Sequence, residues 1–465
     1  MEEAAEKASL RGAVREMRAF LVIWVGQLVS ELGSGLTGFA IPVWVYQQTG
    51  SAEQFGLLMF AQIVPALLVS PFAGALVDRW DRRKVLIASD TASALVTLAV
   101  AALVFTGRFE VWHLFVIGVF GSLIGPFQDP AFAASISVLV PRRHYGRAVG
   151  MMQTAGSLSA ILTPVLAGVL VVTVGLGWVV LIDLATYLVA IGTLAFARIP
   201  SPPQGPEHRH DPLAAQAAYG WRFVRERRGL LGLLLFFAFT NFLGGFLGPL
   251  MQPMVLAITT PAVLGTLVSM MGVGGLLGAM AMSVWGGPKR RVRGVLAFCA
   301  LGGLCTVVVG LKPWLPLIAA GLFASALAWP LLQGTHSALW FAKTPAEAVG
   351  RVIAIRRMVV ISSAPLSVLL AGPLAERVFE PLLMPGGALA PTVGAVLGVG
   401  KGRGIALMFV LVGLLTVLAA AVVYAVPAIR HVERDVPDAP PVHPEPAPPP
   451  APADEAERGE AVAAV

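Results

Sequence analysis

Hydrophobic and polar positions along this chain separate into long apolar blocks divided by short clusters of Gly, Pro and charge. The blocks run to about 20 residues or more, too long for core strands and without the alternation of a barrel wall. Each predicts a membrane-spanning helix, because lipid offers the backbone no hydrogen-bond partner and a helix satisfies its own. Six are predicted at 20–47, 54–77, 85–106, 111–139, 147–172 and 176–197. Six more are predicted at 230–257, 262–285, 294–311, 314–342, 348–376 and 404–426. The expected fold is an all-α membrane protein with twelve transmembrane helices.

The interruptions set the organisation. Residues 1–19 predict an amphipathic leader, acidic at its start and without the apolar core of a cleaved signal. A proline-rich break, Ile199 to His210, ends the first set, since proline cannot continue a helix. Residues 214–228, with Trp221 and Phe223 among four arginines, predict a surface helix within the 198–229 linker. The halves are then 20–197 and 230–427, and 428–465 is a Pro/Ala-rich tail expected to be disordered. Residues 379–403, rich in Gly and Pro, predict an external loop.

Composition agrees with this pattern. The 465 residues are 57% hydrophobic with mean hydropathy +0.79, and 13% are charged, against about 25% in a soluble domain. The net charge of +7 is explained by its placement and implies no nucleic-acid partner. Of the 33 Lys and Arg, 28 fall on the side that carries both termini, leaving Arg108, Lys312, Arg377, Lys401 and Arg403 opposite. Both termini are therefore expected in the cytoplasm, in an inner (plasma) membrane protein. Cys299 and Cys305, six apart in one apolar run, predict neither a disulfide nor a metal site. No Gly-x4-Gly-Lys-Ser/Thr loop appears, which argues against ATP-driven chemistry, and no enzymatic site or cofactor is expected.

The two halves repeat. Pro141-x4-Gly146-Arg147 follows the fourth span and Pro345-x4-Gly350-Arg351 the tenth, an offset of 204 residues. A dense charged turn, Asp78-Arg79-Trp80-Asp81-Arg82-Arg83-Lys84, follows span two. Its echo after span eight, Lys289 to Arg293, keeps the positive charge and lacks an acid. Parallel repeats predict a pseudo-twofold axis along the membrane normal, two pseudo-symmetric six-helix bundles, and a binding site between them.

Ionisable residues inside the spans are functional candidates by default. Glu31 lies eleven residues past Phe20, roughly 16 Å into span one and near the midplane. Gln27, Glu31, Ser34 and Gly38 share one helical face that predicts a cavity wall. Glu31 and Asp129, the latter beside Gln128 on span four, are the proton-coupling candidates. Asn241, Gln333 and His336 join Gln27 and Ser34 as substrate-cavity candidates. Asp90 is expected to belong to the charged turn's network, Asp183 to a structural interface, and Arg356 and Arg357 to the cytoplasmic edge. Aromatic positions on span seven, Phe236 to Phe246, suit bulky amphipathic ligands.

The charged turn resembles the signature loop of the major facilitator superfamily, Gly-x-Leu-x-Asp-Arg-x-Gly-Arg-Arg/Lys, at Gly74, Leu76, Asp78, Arg79, Arg82 and Arg83, with Asp81 in place of the second Gly. Residues 30–51 and 130–141 are similar to the branch holding macrolide-efflux and enterobactin-exporter-like proteins. The resemblance implies a secondary transporter, a gating role for the turn through Asp78, and protons and a small molecule as partners of a monomer in the bilayer. Ser159 to Gly168 resembles a degenerate antiporter motif, with Thr163 and Ala167 replacing glycines, and implies a pivot at Thr163, Pro164 and Gly168. A proton-coupled exporter of a drug, macrolide or siderophore is expected, the alternatives being an importer or lipid-related carrier, or a non-transporting receptor or scaffold.

Overall fold

The computed structural model describes residues 16–77, 80–196, 213–345 and 348–438, and among these it contains helices and no strand. Twelve helices are long and apolar enough to cross a membrane. Spans one to six are Arg18–Thr49, Ala52–Val77, Arg82–Phe105, Val111–Ile136, Tyr145–Thr173 and Leu176–Phe196. Spans seven to twelve are Arg228–Leu256, Pro261–Trp285, Arg291–Leu311, Leu315–Lys343, Val349–Leu383 and Arg403–Ala425. The surface helix Leu213–Glu226 buries Phe223 and Val224, and it packs so closely on span eleven that a Cβ on Gly220 would meet the Arg351 carbonyl.

Two spans are broken where proline removes a donor. Span four divides into Val111–Ser122 and Gly125–Leu139, because Pro126 cannot return a hydrogen bond to the Ser122 carbonyl. Span eleven divides after Ser362, where Pro365 does the same to Ile361, and it passes through a π turn at Ala375–Phe379. It reaches Leu383, beyond the expected end at 376. Of residues 379–403, expected as a loop, Glu380–Leu383 forms the end of span eleven and Val393–Leu397 a further short helix.

Packing differs between the two ends of the molecule. At the end away from the termini a single apolar core joins both halves, drawing Leu36, Ala40 and Ala167 together with Leu250, Leu264 and Ala371. At the end that carries the termini there are two separate cores. One holds Phe20, Ile23, Leu86 and Leu194 of the first half, and the other Leu230, Leu234, Val295 and Trp340 of the second. The halves are thus joined at one end and splayed at the other.

The start of the tail is ordered, unlike the expected disorder from 428. Pro427–Arg430 and Val432–Asp435 are helical turns, with Ile429 and Val432 buried. Apolar residues spaced three apart let this segment cover the end of spans seven and nine. Residues 439–465 lie outside the described residues.

Candidate functional site

The joint between the halves is built from small residues. Spans five and eight run backbone to backbone: Cβ atoms on Gly168 and Gly265 would enter the carbonyls of Pro261 and Pro164. Ser269 Oγ accepts the Val165 N–H at 3.2 Å across this contact. Thr163, Pro164 and Gly168 therefore lie in the crossing of spans one, five and eight, where Thr163 also packs on Gly35. Span two meets span eleven at Gly56 and Gly372. Above them Arg377 grips Glu53 with two donors, Nε at 3.1 Å and Nη2 at 2.6 Å, while a Glu376 carboxylate oxygen accepts the Glu53 N–H at 3.0 Å. Lys401 lies 5.5 Å from the Tyr46 ring nearby. No motif announced this clasp, because its acid and base are 324 residues apart.

The wall supplied by the first half is carried on span one. Gly26 and Gly33, seven apart, admit the side chains of Thr193 and Thr186, so that span one closes on span six. The polar stripe of span one then divides. Glu31 and Gly38 are exposed, and Glu31 stands against Gly156 of span five. Gln27 and Ser34 are half-buried and turn to acids behind them. Asp90, fully buried, accepts from Gln27 Nε2 at 2.9 Å and Gln128 Nε2 at 2.7 Å. Asp183, 2% exposed, accepts from Ser34 at 3.4 Å and Thr97 at 3.5 Å, and Ser34 Oγ lies 2.8 Å from the Tyr187 hydroxyl.

Asp90 is therefore not part of the charged turn's network. It lies two turns inside span three, and neutral amides from spans one and four satisfy it. Asp129 is exposed, as Glu31 is, and near enough for its charge to act on Glu31. Neither carboxyl is held by a described cation. The first half thus presents two open acids backed by two sealed ones.

The second half encloses a cavity of about 630 Å³ among spans seven, nine, ten, eleven and twelve. Asn241, Gln333 and His336 all line it. The Asn241 amide donates to the Val360 carbonyl at 2.8 Å and to Ser363 Oγ at 3.2 Å, joining spans seven and eleven across the break in the latter. His336 stacks on Phe237 with ring centroids 3.5 Å apart, and its Nε2 lies 2.8 Å from Trp340 Nε1. Indole nitrogen only donates, so Nε2 must accept, and His336 gains a proton there only by losing this bond.

Arg356 and Arg357 line the same cavity. Arg356 lies seven residues past Val349, roughly 10 Å along a span of 35 residues.

The charged turn acts as a clamp within the first half. Asp81 caps span three by accepting the Lys84 N–H at 3.0 Å. Arg82 donates to the Ala134 carbonyl at 2.7 Å, and Arg83 to the Leu194 and Ala195 carbonyls at 3.0 and 2.6 Å. These cations hold the ends of spans four and six as well as marking a membrane face. Gly74 falls in the last turns of span two, while Asp78 and Arg79 lie outside the described residues. In the echo, Arg291 donates to the Ala338 carbonyl at 3.4 Å, and Ala134 and Ala338 are 204 residues apart, the offset of the repeat. The acid missing from the echo comes from the tail: Glu433 accepts the Arg291 and Val292 N–H groups at 2.8 and 3.2 Å.

Two six-helix halves, repeated contacts and a central gap meet a family match at this point. A family model described as the Major Facilitator Superfamily matches residues 23–368. The chain belongs to that superfamily. This major facilitator protein is 26% identical over 369 residues to macrolide efflux protein A of Streptococcus pyogenes, covering 77% of this chain and 90% of that one. It is 28% identical over 368 residues to the multidrug efflux pump Tap of Mycolicibacterium fortuitum, covering 77% and 89%. Among solved structures, a bacterial homologue of the human lysosomal transporter Spinster, inward-facing and unoccupied, superposes with TM-score 0.65 at 14% identity, covering 90% of this chain and 97% of that one. A bacterial homologue of the iron transporter ferroportin in an inward-facing state gives TM-score 0.65 at 15% identity, covering 90% and 99%. The major facilitator fold is common to all of these, and the chain is a multi-pass membrane transporter.

Proposed function

We propose that this transporter is a proton-coupled exporter of small amphipathic compounds, of drug, macrolide or siderophore type, working by alternating access. The observation that carries the proposal is the pair of exposed carboxyls on spans one and four, Glu31 and Asp129, close enough to interact and without a described cation. A carboxyl at membrane depth that opens to one side at a time can load a proton from one compartment and release it to the other. The efflux function named for the two sequence relatives supports export. The excess of Lys and Arg at the splayed end supports a cytoplasmic position for that end and both termini in an inner membrane protein. In that orientation the conformation is inward-facing, the Glu53–Arg377 clasp closes the external side, and the charged turn with Asp78 gates the cytoplasmic side. One chain supplies both walls, so a monomer suffices.

The test is flux in proteoliposomes. With an imposed pH gradient, uptake of a macrolide and of an amphipathic dye into inverted liposomes is expected, dissipating the gradient. Glu31→Gln should leave the melting temperature unchanged and abolish gradient-driven flux. Undiminished flux in that variant would remove Glu31 from the mechanism, and no gradient-dependent flux of any panel member would retire proton-coupled export.

A further inference from the structure

The two walls of the gap differ in sign. The first half shows Glu31 and Asp129, whereas the cavity of the second half is lined by Arg356 and Arg357 and by no Asp or Glu. Neither arginine has a salt bridge to a described carboxylate. Arg356 is half-buried on the cavity lining, its Nη1 has no hydrogen-bond partner, and its guanidinium lies 5.9 Å from the centre of the Trp340 ring. A guanidinium partly withdrawn from water without a counter-charge carries a desolvation cost, and an incoming anion that accepts its unused donors would relieve it. The cavity has room for such a guest, since about 630 Å³ lies within the range of small-molecule pockets, about 300–1,000 Å³. Phe237 and Trp329 supply apolar faces on its wall, and Gln333 and Ser337 add neutral polar groups.

We propose that this cavity binds the anionic group of an organic acid, a carboxylate or phosphate held by Arg356 with Arg357, while the acid's apolar body lies against Phe237 and Trp329. Guanidinium suits the task because its planar fork meets two oxygens of a carboxylate or phosphate at once. The proposal rests on the transporter reading and narrows it: the molecules handled include amphiphiles with a negative end, and a cationic end has Glu31 and Asp129 opposite. His336 contributes packing rather than charge, since its Nε2 is taken up by Trp340.

The experiment is equilibrium binding to the full chain in neutral detergent, using three ligands of one shape: 1-naphthylacetate, 1-naphthylacetamide and 1-naphthylmethylamine. The acetate is expected to bind about tenfold more tightly than the other two, the scale of a charge-assisted contact. Arg356→Gln should erase that preference, and binding of the amide that persists in the variant shows that it is folded. Arg356→Lys should retain part of the preference, because it keeps the charge and loses the fork. Equal binding of all three ligands, tighter binding of the amine, or an acetate preference that survives Arg356→Gln would overturn the proposal. Competition by short-chain phosphatidylglycerol below its micellar concentration distinguishes the sources: displacement of the acetate assigns the site to a lipid phosphate, and no displacement to a soluble acid. Because binding is read without a gradient, failure of proton-driven flux would retire the exporter and leave the anion site standing.

Discussion

The Glu53–Arg377 clasp should bias the transport cycle by an amount that can be worked out. It joins span two to span eleven at the end away from the termini, and opening that end must separate its partners. The Arg377 side chain is 71% exposed and that of Glu53 21%, so solvent screens the pair despite its two hydrogen bonds. Its contribution is then that of a surface ion pair, about 0.2–1 kcal/mol. Glu53→Gln should therefore shift the inward/outward ratio toward outward by up to about fivefold. Adding Glu376→Ala removes the acceptor of the Glu53 N–H, worth about 0.5–1.5 kcal/mol more. The double variant should shift the ratio by about three- to seventyfold, about 0.7–2.5 kcal/mol. The assay is a spin-label distance between Arg108→Cys and Lys312→Cys, exposed loop positions in opposite halves, with Cys299 and Cys305 changed to Ala. Exchanging the charges, Glu53→Arg with Arg377→Glu, should restore the wild-type distribution. A distribution indifferent to Glu53→Gln, Arg377→Gln and the double variant would refute the clasp as a gate.

Other outcomes follow from the same contacts. Gly265→Val should lower the melting temperature and slow flux, since its side chain would enter the Pro164 carbonyl and overpacking costs about 1–3 kcal/mol; a wild-type melt would show that spans five and eight have slack. Asp90→Leu should destabilise by about 1–3 kcal/mol by stranding the Gln27 and Gln128 amides. Asp90→Asn should cost less because it keeps one acceptor, and chemical denaturation in detergent would show the ranking. Glu433→Ala should destabilise by about 0.5–2 kcal/mol through loss of the cap on span nine, with Glu433→Gln retaining part of it. Equal melts for the two Glu433 variants would mean that the carboxylate contributes no capping.

Local chemistry made much of this protein legible. Twelve apolar runs could only be spanning helices, and the Pro-x4-Gly-Arg repeat marked two halves, because both depend on lipid exposure and chain-local pattern. Glu31 and Asp129 stood out by depth alone. The helix breaks at Pro126 and Pro365 were equally local but lay hidden inside runs whose hydropathy does not change there.

Tertiary structure decided everything that needs two distant segments. Asp90 looked like a neighbour of Lys84 until Gln27 and Gln128 arrived from 63 and 38 residues away. The echo of the charged turn lacked an acid until the tail brought Glu433 back across 142 residues. Spacing placed Gln27, Glu31, Ser34 and Gly38 on one face, yet helical periodicity cannot say what that face meets. Packing divided it, sending Gln27 and Ser34 toward buried carboxylates and leaving Glu31 in the gap. Which side chain is exposed, which acid finds a donor and which cation is left without a partner are properties of contact. In a bundle of apolar helices those contacts are set by where small residues let backbones approach, so the order of residues alone could nominate the site but not assemble it.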